Sequence, residues 1–73
     1  MAEVLDCRGL KCPQPVLKLA IKANSLPRGT TLEVWADCHT FAADVTSWCA
    51  KNGRVLVSIV PKDGGASCAT VQL

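Results

Sequence analysis

"LDCRGLKCPQPVLKLAIK", Leu5 to Lys22, contains a change of hydrophobic period, and that change decides the fold class. On its N-terminal side "EVLDC" reads as a strand over Glu3 to Cys7, and "RGL" with Gly9 reads as the turn that ends it. A helix is expected to begin at Pro13. Val16, Leu17, Ala20 and Ile21 share one predicted face, Lys18 and Lys22 lie four apart on another, and "NSLPRG" stops the pattern.

Downstream, "TTLEVWA" (30–36) sets Leu32, Val34 and Ala36 against Glu33 and Trp35, the alternation of a strand with one face more buried than the other. A second helix follows, with Asp37 or Thr40 as N-cap, Phe41, Val45, Trp48 and Cys49 at helical spacing, and Asn52-Gly53 as its stop. "RVLVSIV" (54–60) and "CATVQL" (68–73), joined by "PKDGGAS", read as an antiparallel hairpin. The predicted order is β-α-β-α-β-β. Right-handed crossovers then put both helices on one face of a mixed four-stranded sheet, an α/β two-layer sandwich whose other face stays uncovered. Trp35, Val55, Val57 and Ile59 are expected on that open face.

The 73 residues accommodate one domain, 1–73, with one small core, and there is no internal repeat or linker. With 49% apolar and 19% charged residues the chain is too hydrophobic to read as disordered. No apolar run approaches the roughly 18 to 20 residues of a membrane span, and "MAEVLD" is unlike a signal peptide, so a soluble, cytoplasmic protein is expected. Five irregularly spaced cysteines fit a reducing compartment better than a disulfide framework, and are expected to rest as thiols. Of the eight Lys/Arg, five fall in residues 1–28, around the opening motif. Without basic clusters or interleaved aromatics, a net charge of +2 gives little reason for direct nucleic-acid binding. A basic patch for an acidic protein partner is the more economical reading.

The chemistry centres on Cys12. Proline suits the first turn of a helix, whose N–H groups have no intrahelical acceptor, so Pro13 at N1 and Pro15 at N3 make Cys12 the N-cap residue. There its sulfur meets the positive end of the helix dipole, with Arg8 and Lys11 close in sequence, the recognised conditions for a thiolate. Cysteine is a poor cap compared with Ser, Thr, Asp or Asn, which favours a functional over a purely structural role. There is no C-x-x-C for a dithiol cycle and no histidine in a base position nearby, so neither that cycle nor hydrolysis is suggested.

At these residues the sequence resembles a known family. "LDCRGLKCPQP" is similar to the L-D-x-R-G-x-x-C-P-x-P start of the TusA-like (SirA-like) sulfur carriers, and the resemblance runs through "LEVWADCHTFAADVTSWCAKNG" to "LVSIV". It implies that Cys12, in the C-P-x-P block, accepts sulfane sulfur as a persulfide from a cysteine desulfurase or rhodanese-type donor and passes it to an acceptor protein. Arg8, Gly9, Lys11, Pro13 and Pro15 would support that motif. Lys18 and Lys22 would help dock the partners. Both transfers are thiol exchange reactions, so no metal or organic cofactor is expected, only the covalent persulfide sulfur. The implied protein is a persulfide relay, expected as a monomer, rather than a stand-alone turnover enzyme. The family serves tRNA thiolation, molybdenum-cofactor synthesis and sulfur oxidation.

Other residues admit two readings. Cys7 either resolves a Cys12 persulfide as a disulfide or, as its strand position favours, faces the core. Cys38-His39 replaces an Asp-Asp-Pro-type sequence of the family and could stand beside Cys12 as a second thiol and a proton carrier; a zinc site from Cys7, Cys12, Cys38 and His39 matches no standard spacing. Cys49, Cys68 and Trp48 read as structural. Trp35 could anchor a partner through the open sheet face. Gly64-Gly65 is a turn rather than a phosphate loop, and Asp37 and Asp44 read as cap and surface charge. The alternatives to a sulfur carrier are a non-catalytic interaction or regulatory module and a thiol redox switch through Cys7–Cys12 or Cys12–Cys38.

Overall fold

The structure, a computed structural model, describes residues 2–12 and 14–73. Its elements run β1 (Ala2–Asp6), α1 (Gln14–Ser25), β2 (Thr31–Ala36), α2 (Phe41–Asn52), β3 (Val55–Pro61) and β4 (Ser67–Gln72), the predicted β-α-β-α-β-β order. The sheet order is β1-β2-β4-β3. β1 and β2 are parallel, with Leu5 opposite Val34, and the other two pairs are antiparallel.

Both helices pack on one face. Leu19 and Ala23 of α1, Phe41, Val45 and Cys49 of α2, and Leu32, Val34, Ala36, Ala69 and Val71 of the sheet form one buried cluster. The alternation read in β2 holds residue for residue. Gly53 ends α2 in the left-handed conformation, φ 65°, and its N–H donates to the Cys49 carbonyl. That conformation is one a side chain disfavours, which is why glycine stands there. No helix among the described residues is long and apolar enough to cross a membrane.

Two expectations about faces are corrected. In α1 the buried side chains are Pro15, Leu19 and Ala23, whereas Leu17 and Ile21 are 53% and 72% exposed. At 100° per residue, Pro15, Val16, Leu19, Ala23 and Leu26 fall within about one 100° arc, a fuller apolar stripe than the one through Val16, Leu17, Ala20 and Ile21. In β3 the pairing shifts between Leu56 and Ser58. Val55 and Val57 are exposed as expected, but the extra residue reverses the alternation after them, so Val60 is exposed while Ile59 packs on the core. Trp35 pairs with Cys68 across the uncovered face, as expected for the tryptophan.

Candidate functional site

Parallel pairing of β1 and β2 makes the chain leave both strands at the same end of the sheet, where open α/β sheets place their ligand crevices. The loop after β1 carries Cys12 and the loop after β2 carries Cys38. Backbone contacts hold them. The Cys7 N–H donates to the Trp35 carbonyl at 2.7 Å, extending the strand pairing by one residue. The Gly9 N–H then donates to the Asp37 carboxylate, 3.1 and 3.2 Å from its two oxygens. Gly9 has φ 86°, a conformation that L side chains rarely adopt.

Lys11, Cys12, Asp37, Cys38 and His39 line an open concavity with Gly9 and Leu10. Cys12 lies in the turn closed by the Gln14 N–H on the Lys11 carbonyl, 2.8 Å, immediately ahead of α1. The helix begins at Gln14, so Pro15 occupies its second position and is buried. The predicted place of Pro13 at the first helical position lies outside the described residues.

Cys12 and Cys38 are joined by a disulfide, with Cα atoms 5.7 Å apart, near the common spacing for such a bond. This corrects the expectation of five thiols: Cys7, Cys49 and Cys68 are free and buried, whereas the two loop cysteines are bonded. Of the two pairings weighed from the sequence, Cys7–Cys12 and Cys12–Cys38, the structure holds the second. Burial pushes the Cys7, Cys49 and Cys68 thiols up, with a Glu33 carboxylate 3.5 Å from the Cys68 sulfur adding to the effect there. None of these three lines the concavity.

A polar chain reaches the disulfide from α2. The Thr40 hydroxyl donates to the Asp44 carboxylate at 2.9 Å and lies 3.7 Å from the Cys38 sulfur. Because that hydroxyl is turned to Asp44, Thr40 caps α2 without a side-chain hydrogen bond to its backbone. Among the described residues, Cys12, Cys38 and Asp44 form a cluster with donor atoms all within 4.8 Å of one another. Neither Cys7 nor His39 belongs to it, and the bonded sulfurs have no thiolate to offer a cation. Thr40 and Asp44 had read as a cap and a surface charge; only their four-residue spacing hinted at contact.

The basic residues are distributed differently from the sequence expectation. Arg8 binds Asp6 through two side-chain contacts of 2.9 and 2.8 Å and lies over the Trp35 ring, 5.4 Å from its centroid. Its hydrogen bonds lower the Asp6 carboxyl to about 2. Its charge is thus matched by Asp6, and Lys11 is the basic residue lining the concavity. Lys18 and Lys22 border a separate shallow groove with Leu5, Ile21 and Ser25, and Lys22 lies 3.8 Å from Glu3.

The fold is thus a small α/β sandwich that sets a cysteine just ahead of its first helix, over an open concavity. A family model described as sulfurtransferase TusA matches residues 3–72. The chain is 37% identical over 60 residues to the sulfur carrier protein TusA of Pseudomonas syringae, covering 82% of this chain and 71% of that one. It is 33% identical over 60 residues to TusA of Buchnera aphidicola, covering 82% and 76%. A longer relative from Aquifex aeolicus is 32% identical over 60 residues, 82% of this chain, and the chain spans 30% of its length. The chain belongs to the TusA family of sulfur carriers.

Proposed function

We propose that the chain carries sulfane sulfur as a persulfide on Cys12, taken from a cysteine desulfurase or rhodanese-type donor and relayed to an acceptor protein in the cytoplasm. The observation that carries this reading is the sorting of the cysteines: three are buried, and Cys12, the residue of the C-P-x-P motif, lines an open concavity. The Cys12 thiolate attacks the outer sulfur of the donor persulfide, the donor cysteine leaves as a thiolate, and an acceptor thiolate later attacks the outer sulfur on Cys12. Lys11 offers a positive charge to the persulfide anion. Lys18, with the exposed Ile21 beside it, offers a docking flank for an acidic partner. The pathways open to such a relay include tRNA thiolation, molybdenum-cofactor synthesis and sulfur oxidation.

The test uses the reduced Cys38→Ser protein, in which no neighbouring thiol can react with the loaded sulfur. Incubation with a cysteine desulfurase and cysteine is expected to add about 32 Da, one sulfur, to the peptide containing Cys12. Absence of that gain, or its survival in Cys12→Ser, would overturn the reading. The Cys12–Cys38 bond favours a second reading, a thiol redox switch. That reading requires the disulfide to form under mild oxidation with no sulfur donor and to change partner binding.

A further inference from the structure

We infer that Cys38 is a resolving thiol: it attacks the inner sulfur of a Cys12 persulfide, closes the Cys12–Cys38 disulfide and releases the carried sulfur as hydrosulfide. This gives the chain a second outlet, sulfide release without an acceptor protein, and it rests on the proposed persulfide on Cys12.

The geometry favours the inner sulfur. The Sγ atoms of Cys12 and Cys38 are bonded in the structure, so the two loops already hold the arrangement that attack on Cys12 Sγ would produce. Attack on the outer sulfur would move the sulfur to Cys38 and leave the two Sγ atoms separated by it. The leaving group permits this choice, since hydrosulfide is a weaker base than an ordinary cysteine thiolate and departs readily. The Gly9–Asp37 contact holds the loops together, so the reaction is intramolecular and needs no encounter.

The step balances without an external oxidant. The Cys38 S–H bond breaks and its proton passes to solvent, while the Thr40 hydroxyl, held by Asp44 at 2.9 Å, lies 3.7 Å from the Cys38 sulfur. The Cys38–Cys12 S–S bond forms as the Cys12–S bond to the terminal SH breaks, and the electron pair leaves on HS⁻. The sulfane sulfur is reduced to sulfide, and the two cysteine sulfurs are oxidised to the disulfide. A dithiol reductant then supplies two electrons and two protons to restore both thiols.

The experiment mixes reduced protein, freed of reductant, with a stoichiometric amount of desulfurase already carrying its persulfide and freed of cysteine. Free sulfide and intact mass are followed together. The wild-type protein is expected to release sulfide matching the sulfur lost from the donor and to finish about 2 Da lighter than its reduced form. Cys38→Ser and Cys38→Ala, both checked for native circular dichroism, are expected to hold the added 32 Da (approximately) on Cys12 and to release sulfide about tenfold more slowly or less. The inference is overturned if the wild-type protein keeps the added sulfur with Cys38 free, if the variants release sulfide as fast as wild type, or if the sulfur is found on Cys38. Loss of loading in the Cys38 variants as well as the wild type would remove the carrier reading along with it; stable loading in all three would remove this inference alone.

Discussion

The amide of Gly9 and the carboxylate of Asp37 tie the loop after β1 to the loop after β2, and the two cysteines of the site stand on those loops. A tether of this kind sets the effective concentration of one thiol at the other. Asp37→Ala removes both acceptor oxygens. For an exposed charged hydrogen bond worth about 1 kcal/mol, the Cys12–Cys38 pair should shift about fivefold toward the dithiol in a glutathione redox titration. An unchanged midpoint would show that the loops are aligned without this contact.

The disulfide spans 26 positions in sequence, and closing a loop of that size restricts the unfolded chain. The expected stabilisation is roughly 3 kcal/mol, so reduction should lower Tm by more than about 10 °C in a domain this small. Thiol counting should find three cysteines after denaturation of the oxidised protein and five after reduction, with Cys7, Cys49 and Cys68 shielded from alkylation while the fold persists.

The corrected orientation of α1 makes a paired prediction. Leu19 is completely buried and Ile21 is largely exposed. Leu19→Ala should destabilise the protein by about 2–4 kcal/mol in urea denaturation, with the loss of packing that seats the helix behind Cys12. Ile21→Ser should stay within about 0.5 kcal/mol of wild type. The reverse order would restore the face expected from sequence.

Arg8 holds Asp6 at about 2 against an ordinary value of 3.8, so the folded state keeps this carboxylate ionised where the unfolded chain protonates it. The unfolded state therefore binds more protons between those two values, and stability rises with pH there. The contribution of this pair is fully present above about 3.8 and is lost as pH falls toward 2. Both side chains are more than half exposed, so salt should weaken it. Asp6→Asn should flatten the acid limb of the stability profile at low ionic strength, and an NMR titration should find Asp6 near 2.

The element order and the place of Cys12 ahead of the first helix were legible because they depend on local rules: the change of period at Gly9, the prolines after Cys12 and the alternation through Leu32, Val34 and Ala36. The exposed face of β3 was legible at Val55 and Val57 but not beyond them, at Ile59 and Val60, because the shift between Leu56 and Ser58 is a property of pairing with β4 and leaves no mark in a continuous apolar run. The sequence offered two partners for Cys12, Cys7 and Cys38, and did not choose between them. Cys7 is nearer in sequence, but it ends on the core side of the sheet, while parallel pairing of β1 with β2 carries Cys38 to Cys12 from 26 residues away. The charge on Arg8 was assigned to the thiol by proximity in the chain, whereas Asp6, two residues back, takes it.

The irregularity in β3 has a consequence for the molecule in company. β3 is an outer strand, and three valines along an outer strand would make a template on which another chain could add and grow. The pairing shift interrupts the even spacing such growth requires, and Pro61 offers no N–H at the far end of the strand. The outer edge of β3 is thereby a poor template for strand addition by another copy of the chain.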